Sequence, residues 1–263
     1  MVEKKTPVGK PADDFIRIQD LWSMFVPKWY WFAISLFITL TIAVLYLLST
    51  PPIYTRTAAI LVKDNSKSSS STSAMNDFSD LGIFKSNTNI NNELLTLKSP
   101  TLMTEVVNRL GLNETFTIRK GLKNVDLYKV SPVTITFCDK IEVPLSFTIK
   151  FSSKEAFAIS ELEISGEDIG ETLSAQMGDS IQTSAGIMIV SPTQEFTDAF
   201  IGISIRYVRG SVRAAVDTYS NALVAELGNE DATIINLSIN DTSIRKAEDI
   251  LNTLIEVYNE NWI

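Results

Sequence analysis

The 263-residue sequence has no histidine and only one cysteine, Cys138. Without histidine there is no Ser-His-Asp or Cys-His catalysis, no imidazole metal ligand and no histidine proton shuttle. A lone cysteine excludes an internal disulfide and a cysteine-only zinc site. Basic residues are also in deficit: 23 Lys and Arg against 31 Asp and Glu leave a formal net charge of −8. A nucleic-acid-binding surface normally shows the opposite balance, so nucleic acid is not an expected partner. No G-x-x-x-x-G-K-[ST] phosphate loop, G-x-S-x-G elbow or EF-hand acid cluster occurs. The acids read most simply as a solvated surface, and Cys138, in or beside a predicted strand, as a small buried hydrophobe. The sequence therefore predicts no catalytic residue, no cofactor and no metal.

What the chain does have is one long apolar run. No charged residue occurs between Lys28 and Arg56, and Tyr30 to Ser49 reads YWFAISLFITLTIAVLYLLS. A helix of about 20 residues spans roughly 30 Å, the hydrocarbon thickness of a bilayer. Its few hydroxyls can bond back to helix carbonyls and do not oppose insertion. Trp29, Tyr30, Trp31 and Phe32 at the entry, Leu36, Phe37, Leu40 and Leu45 along the run, and Tyr46 near the exit are the expected membrane anchor. Pro51 and Pro52 stop the helix. Lys4, Lys5, Lys10, Arg17 and Lys28 precede the run, and a short tail precedes a large remainder, which together favour a cytoplasmic amino terminus. Phe15, Ile18, Leu21, Trp22 and Phe25 recur at helical spacing just before it, as in an interfacial helix or a helical lead-in.

Beyond Pro52 the pattern changes. Ile53 to Asp64 reads as a strand, and the Ser-rich stretch 65–77 as a flexible loop. Helical periodicity begins at Asn89, breaks at Ser99-Pro100, a cap followed by a first-turn proline, and ends at Gly111. Alternation marks strands at 132–137, 145–151, 156–164 and 186–190, with Gly178-Asp179 as a hairpin turn. A strand at 200–208, a helix from Ser211 through Leu227 and a strand at 232–240 read as a β-α-β unit. Asp241 is placed to cap a last helix running to the end of the chain. Ile244, Ala247, Leu251, Leu254 and Tyr258 are spaced 3, 4, 3 and 4 on it, a seam suited to packing on a sheet or to contacts between subunits. No cap closes that helix at Trp262-Ile263, so the chain is expected to be part of something longer.

The order of these features resembles a known family. Asp20-Leu21-Trp22 lies before the span and Pro52-Ile53-Tyr54 after it. Asn92-Glu93, Leu97-Lys98-Ser99-Pro100, Val106-Val107 and Leu110-Gly111-Leu112 follow. Then come Leu127-Tyr128, Ser131-Pro132-Val133, Thr233-Ile234-Ile235 and Ile250-Leu251-Asn252. The succession is similar to the Wzz, or polysaccharide co-polymerase, family, in particular the amino-terminal region of bacterial capsular tyrosine kinases. That resemblance implies an inner-membrane protein whose periplasmic domain forms a ring-like homo-oligomer. It would act on the chain length and export of capsular, exopolysaccharide or O-antigen glycans. Its partners would be the membrane, the polysaccharide polymerase and export machinery, and the glycan. The kinase domain of full-length relatives has no counterpart in this sequence, so no enzyme activity carries over. The expected fold class is α+β: residues 1–28 a cytoplasmic tail, 29–50 a transmembrane helix, and 51–263 a periplasmic α/β domain with a mixed sheet and a long carboxy-terminal helix. A periplasmic sensor or adaptor domain of a signalling or export complex fits the same order of elements and is the alternative.

Overall fold

The computed structural model describes residues 26–62, 85–138, 143–228 and 234–261. It divides into two units, Met1–Thr50 and Pro51–Ile263. The interfacial segment expected at residues 15–25 and the loop expected at 65–77 lie outside the described residues.

In the first unit a 3-10 turn, Val26–Lys28, leads into helix α1, Trp29–Ser49. The helix is long and apolar enough to cross a membrane, and none of it is buried. Three of its hydroxyls are satisfied internally: Thr39 Oγ1 donates to the carbonyls of Ser35 and Leu36, Thr41 Oγ1 to Phe37, and Ser49 Oγ to Tyr46. Each hydroxyl removed from water in this way loses most of its desolvation cost. Thr50 turns extended before Pro51, and its N–H closes the last turn on the Tyr46 carbonyl.

The second unit has two hydrophobic cores. The first lies between a three-stranded sheet, order β1-β13-β12, and four helices. Strands β1 (Tyr54–Leu61), β12 (Leu223–Leu227) and β13 (Ile234–Asp241) alternate buried and exposed side chains, so one face is covered and the other faces solvent. Helices α2 (Lys85–Leu97), α3 (Pro100–Leu110), α4 (Val212–Ala222) and α5 (Ile244–Asn261) contribute to the covered side. The break between α2 and α3 follows the local chemistry: Ser99 Oγ accepts from the Thr101 N–H, Pro100 fills the first helical position, and Gly111 ends α3 at φ 62°.

The second core belongs to an all-β layer inserted between α3 and α4. Strands β2 (Glu114–Lys120), β3 (Lys123–Asp126), β5 (Leu145–Phe151), β6 (Ala156–Ile164), β7 (Glu167–Asp168), β8 (Leu173–Gln176) and β11 (Ser204–Arg209) form one sheet. Strands β4 (Val133–Phe137), β9 (Ser180–Thr183) and β10 (Gly186–Pro192) form another. Phe147, Phe151, Phe157, Tyr207, Met188 and Val190 are buried in the core these strands share. The insertion enters and leaves through one neck. Glu114 and Arg209 sit opposite each other in β2 and β11, 3.3 Å apart as an ion pair, and the Gly210 N–H donates to the Asn113 carbonyl at 2.8 Å.

Several expectations are corrected. The sheet is not mixed: each pairing between named strands is antiparallel, and the one parallel contact among the described residues is an isolated bridge between Phe151 and Ile201. The β-α-β unit is absent as well. The helix expected to reach Leu227 ends at Ala222, and Leu223–Leu227 forms β12, because Leu223 and Ala225 bury with a period of two. The strands flanking the helix then fall in different sheets. Gly178, at φ 84°, does turn the chain, but it connects β8 and β9, which pair with β6 and β10 and not with each other. Asp241 is not the cap of α5: its Oδ1 accepts from the Ser243 N–H, and Ser243 Oγ accepts from the Lys246 N–H. Cys138 is exposed, since it lies one residue past the end of β4.

Candidate functional site

The expected anchor residues all lie on α1, and all are exposed. Trp29, Trp31, Leu36, Phe37, Leu40 and Tyr46 each leave 61–71% of their surface uncovered, and Tyr30, Phe32 and Leu45 about half. Such a surface is costly in water, because each large apolar side chain forfeits roughly 1.5–3 kcal/mol relative to burial. The helix therefore calls for an apolar surrounding.

The expected seam is placed differently. Ile244 at the first turn is exposed, whereas Ala247, Leu251, Leu254 and Tyr258 are buried in the first core with Ile250 and Val257. These buried side chains pack against the chain's own sheet. The Tyr258 hydroxyl donates to Glu93 Oε2 at 2.6 Å, a buried bond that joins α5 to α2. At the far end of α5, Glu260 binds Arg109 of α3 through both oxygens, at 3.0 and 2.5 Å, and that cation holds the Glu260 carboxyl below its usual range.

A set of charges that the sequence reading missed joins α5 to the β3–β4 turn. Lys246, 7% exposed, is paired through Nζ with Asp126 Oδ2 and lies 3.8 Å from Asp241 Oδ2. One turn further along α5, Asp249 is 2.6 Å from the Lys129 ammonium. Lys129 has a left-handed backbone, φ 58°, and its ammonium sits 5.5 Å from the centre of the Tyr128 ring. Burial on its own would lower Lys246, but Tyr219, Asp126 and Asp241 outweigh it and hold the ammonium above its ordinary value. Burial, followed by the Asp249 charge, raises Tyr128; burial also raises Tyr219 against the pull of Lys246. Beside this joint opens a crevice of about 290 Å³, lined in part by Leu112, Phe116, Tyr128, Ser131, Thr193 and Tyr219.

The joint's charges are spent on one another, which makes it a mechanical connection between the two layers. Among the described residues no group of three or more acids or cysteines is placed to hold a metal ion. The one clue available in the sequence was Lys246 itself, a cation flanked by the apolar positions Ile244, Ala247 and Ile250 of an amphipathic helix.

No match was found among curated proteins. A family comparison does succeed, and it covers the lead-in, the apolar helix, β1 and the α2–α3 pair. Residues 14–110 match the family model of Wzz, chain length determinant protein.

Proposed function

We infer that the chain is a membrane-anchored regulator of polysaccharide chain length. Wzz-family proteins are non-enzymatic regulators that work in polysaccharide assembly complexes. The observation that carries this reading is that the matched stretch, residues 14–110, includes both the apolar helix and the two helices that pack beneath β1, β12 and β13. In this reading α1 crosses the inner membrane with the amino terminus in the cytoplasm, and residues 51–263 stand in the periplasm. Copies assemble into a closed ring by a head-to-tail contact. The ring acts with a polymerase and an exporter on a capsular, exopolysaccharide or O-antigen glycan, and the chain makes no glycosidic bond itself. Support for a non-catalytic role comes from the joint around Lys246, whose cations and carboxylates are mutually paired.

The test is a deletion in the organism of origin followed by electrophoresis of its surface polysaccharide. A shifted or broadened length distribution, restored by the wild-type chain, is expected. An unaltered length profile and amount overturns the assignment, and an altered transcriptional response in its place points to a sensor or adaptor.

A further inference from the structure

The crevice beside the Lys246 joint takes its walls from both layers. Its lining comes from the end of α3, from β2, from the turn between β3 and β4, from β4, from Thr193 and Glu195 after β10, and from Tyr219 and Lys246. All of these fall among the described residues. The space, about 290 Å³, sits at the lower end of the range for small-ligand sites, about 300–1,000 Å³. Three rings belong to the lining: Phe116, Tyr128 and Tyr219. Each is only partly covered by the core it packs against, Tyr128 and Tyr219 by the first and Phe116 by the second.

Strand β4 adds an open donor and acceptor. Among the described residues it pairs with β10 alone. The Cys138 N–H bonds to the Ile187 carbonyl and the Thr193 N–H to the Pro132 carbonyl, so the even-numbered residues of β4 turn their backbone groups to β10. Val133 and Ile135 turn theirs the other way, and both residues line the crevice. Ser131 Oγ occupies both groups of Val133, donating to its carbonyl at 2.7 Å and accepting from its N–H at 3.4 Å. The N–H and C=O of Ile135 have no partner among the described residues. The charges then narrow the choice of guest. Lys129 and Lys246 are paired with Asp249 and Asp126, and Glu114 with Arg209. Glu195, exposed at the crevice, is the lining carboxylate for which the described residues supply no cation. An acidic guest would meet that anion and no spare ammonium. A guest rich in hydroxyls gives Glu195 its donors and answers both groups of Ile135, while the C–H face of a sugar ring lies on the half-covered aromatics. An added peptide strand fits less well, because Ser131 has already taken the Val133 groups that such a strand would need.

We propose that this crevice binds a short, uncharged saccharide segment: Phe116, Tyr128 and Tyr219 carry its apolar face, and the Ile135 backbone and the Glu195 carboxylate take its hydroxyls. The proposal rests on the polysaccharide reading above and adds to it a contact site on the chain, where the two layers meet.

The test uses the full chain in detergent micelles, with Cys138→Ser to clear the background. The probe is the neutral fraction of oligosaccharides released by mild acid from the surface polysaccharide of the organism of origin, the part that an anion exchanger does not retain. Thr134→Cys places a reporter thiol at an exposed position of the lining. At about ten times its dissociation constant the neutral fraction should slow maleimide labelling of that thiol about tenfold. Glu195→Ala, at an exposed position, should raise the concentration needed about tenfold through the loss of one charge-assisted hydrogen bond, with the unfolding midpoint unchanged. Labelling that the neutral fraction leaves unchanged overturns the site. If the deletion strain still shows an altered length profile, the functional reading then stands without it, and a normal profile removes both. Equal protection with and without the Glu195 carboxylate puts the saccharide elsewhere and overturns the proposal. Protection by the retained acidic fraction alone, or by a tryptic peptide digest alone, overturns it as well.

Discussion

At the scale of single residues, Lys246 governs the joint between the layers. Its ammonium is buried with two carboxylates, Asp126 from the inserted layer and Asp241 from the end of β13. Breaking a buried pair from one side is costly because the remaining charge keeps its desolvation penalty. Lys246→Met should lower unfolding free energy by about 3–5 kcal/mol in urea titrations, and adding Asp126→Leu should recover part of that loss. The buried tyrosines set the alkaline limit. Burial is the first cause that raises Tyr128, Tyr207, Tyr219 and Tyr258 above their ordinary value of 10.0, and Glu93 adds to it at Tyr258. The folded state therefore keeps its phenol protons after the unfolded chain has released them. Their stabilisation is complete below pH 10.0 and drains away as pH climbs toward the raised folded values. Urea midpoints should hold steady to about pH 9 and fall steeply by about pH 11, with tyrosinate absorbance rising in step with unfolding.

At the scale of elements, local chemistry was readable where one residue has one use. Ser99 caps, Pro100 starts and Gly111 stops α3, each through its own backbone requirement. Ser99→Ala should cost about 1 kcal/mol by thermal or urea unfolding, because the Thr101 N–H loses its acceptor. The end of α4 was not readable. Leu223 continues the helical stripe of Val212, Val216 and Tyr219, yet with Ala225 it also satisfies the two-residue period of a strand, and pairing with β13 decides the matter. The seam of α5 shows the same limit for the candidate site. Ala247, Leu251, Leu254 and Tyr258 have a spacing that serves a partner helix or an own sheet equally well, and only the fold shows them buried within the chain. Leu254→Ala should cost about 2–5 kcal/mol of stability, with any change in multimer size following from unfolding rather than from a lost subunit contact. The Lys246 joint was illegible because its partner, Asp126, lies 120 positions away.

At the scale of the whole molecule, the apolar helix and the folded unit ask for different solvents. Helix α1 is uncovered along its length, whereas the second unit buries its large side chains in two cores. Leu40→Lys, at mid-helix, should oppose insertion by about 2.5–3.5 kcal/mol and move the protein out of the carbonate-resistant membrane fraction. Thr39→Val and Thr41→Val should leave that fraction unchanged, since both hydroxyls are already bonded to helix carbonyls. The all-β insertion was legible strand by strand but not as a layer, because alternation marks a buried face without naming the sheet that covers it.

The narrow neck at Asn113 and Gly210 has a practical consequence. Each fully buried member of the all-β core falls between those two positions, and each fully buried member of the helix-bearing core falls outside them. The chain is thus built like a bracket holding a removable cartridge. Because the cut ends already touch through one hydrogen bond, a short glycine-serine bridge could seal the bracket once Lys246→Met removes the buried cation that loses Asp126 with the cartridge, and a foreign fluorescent barrel could be seated in its place.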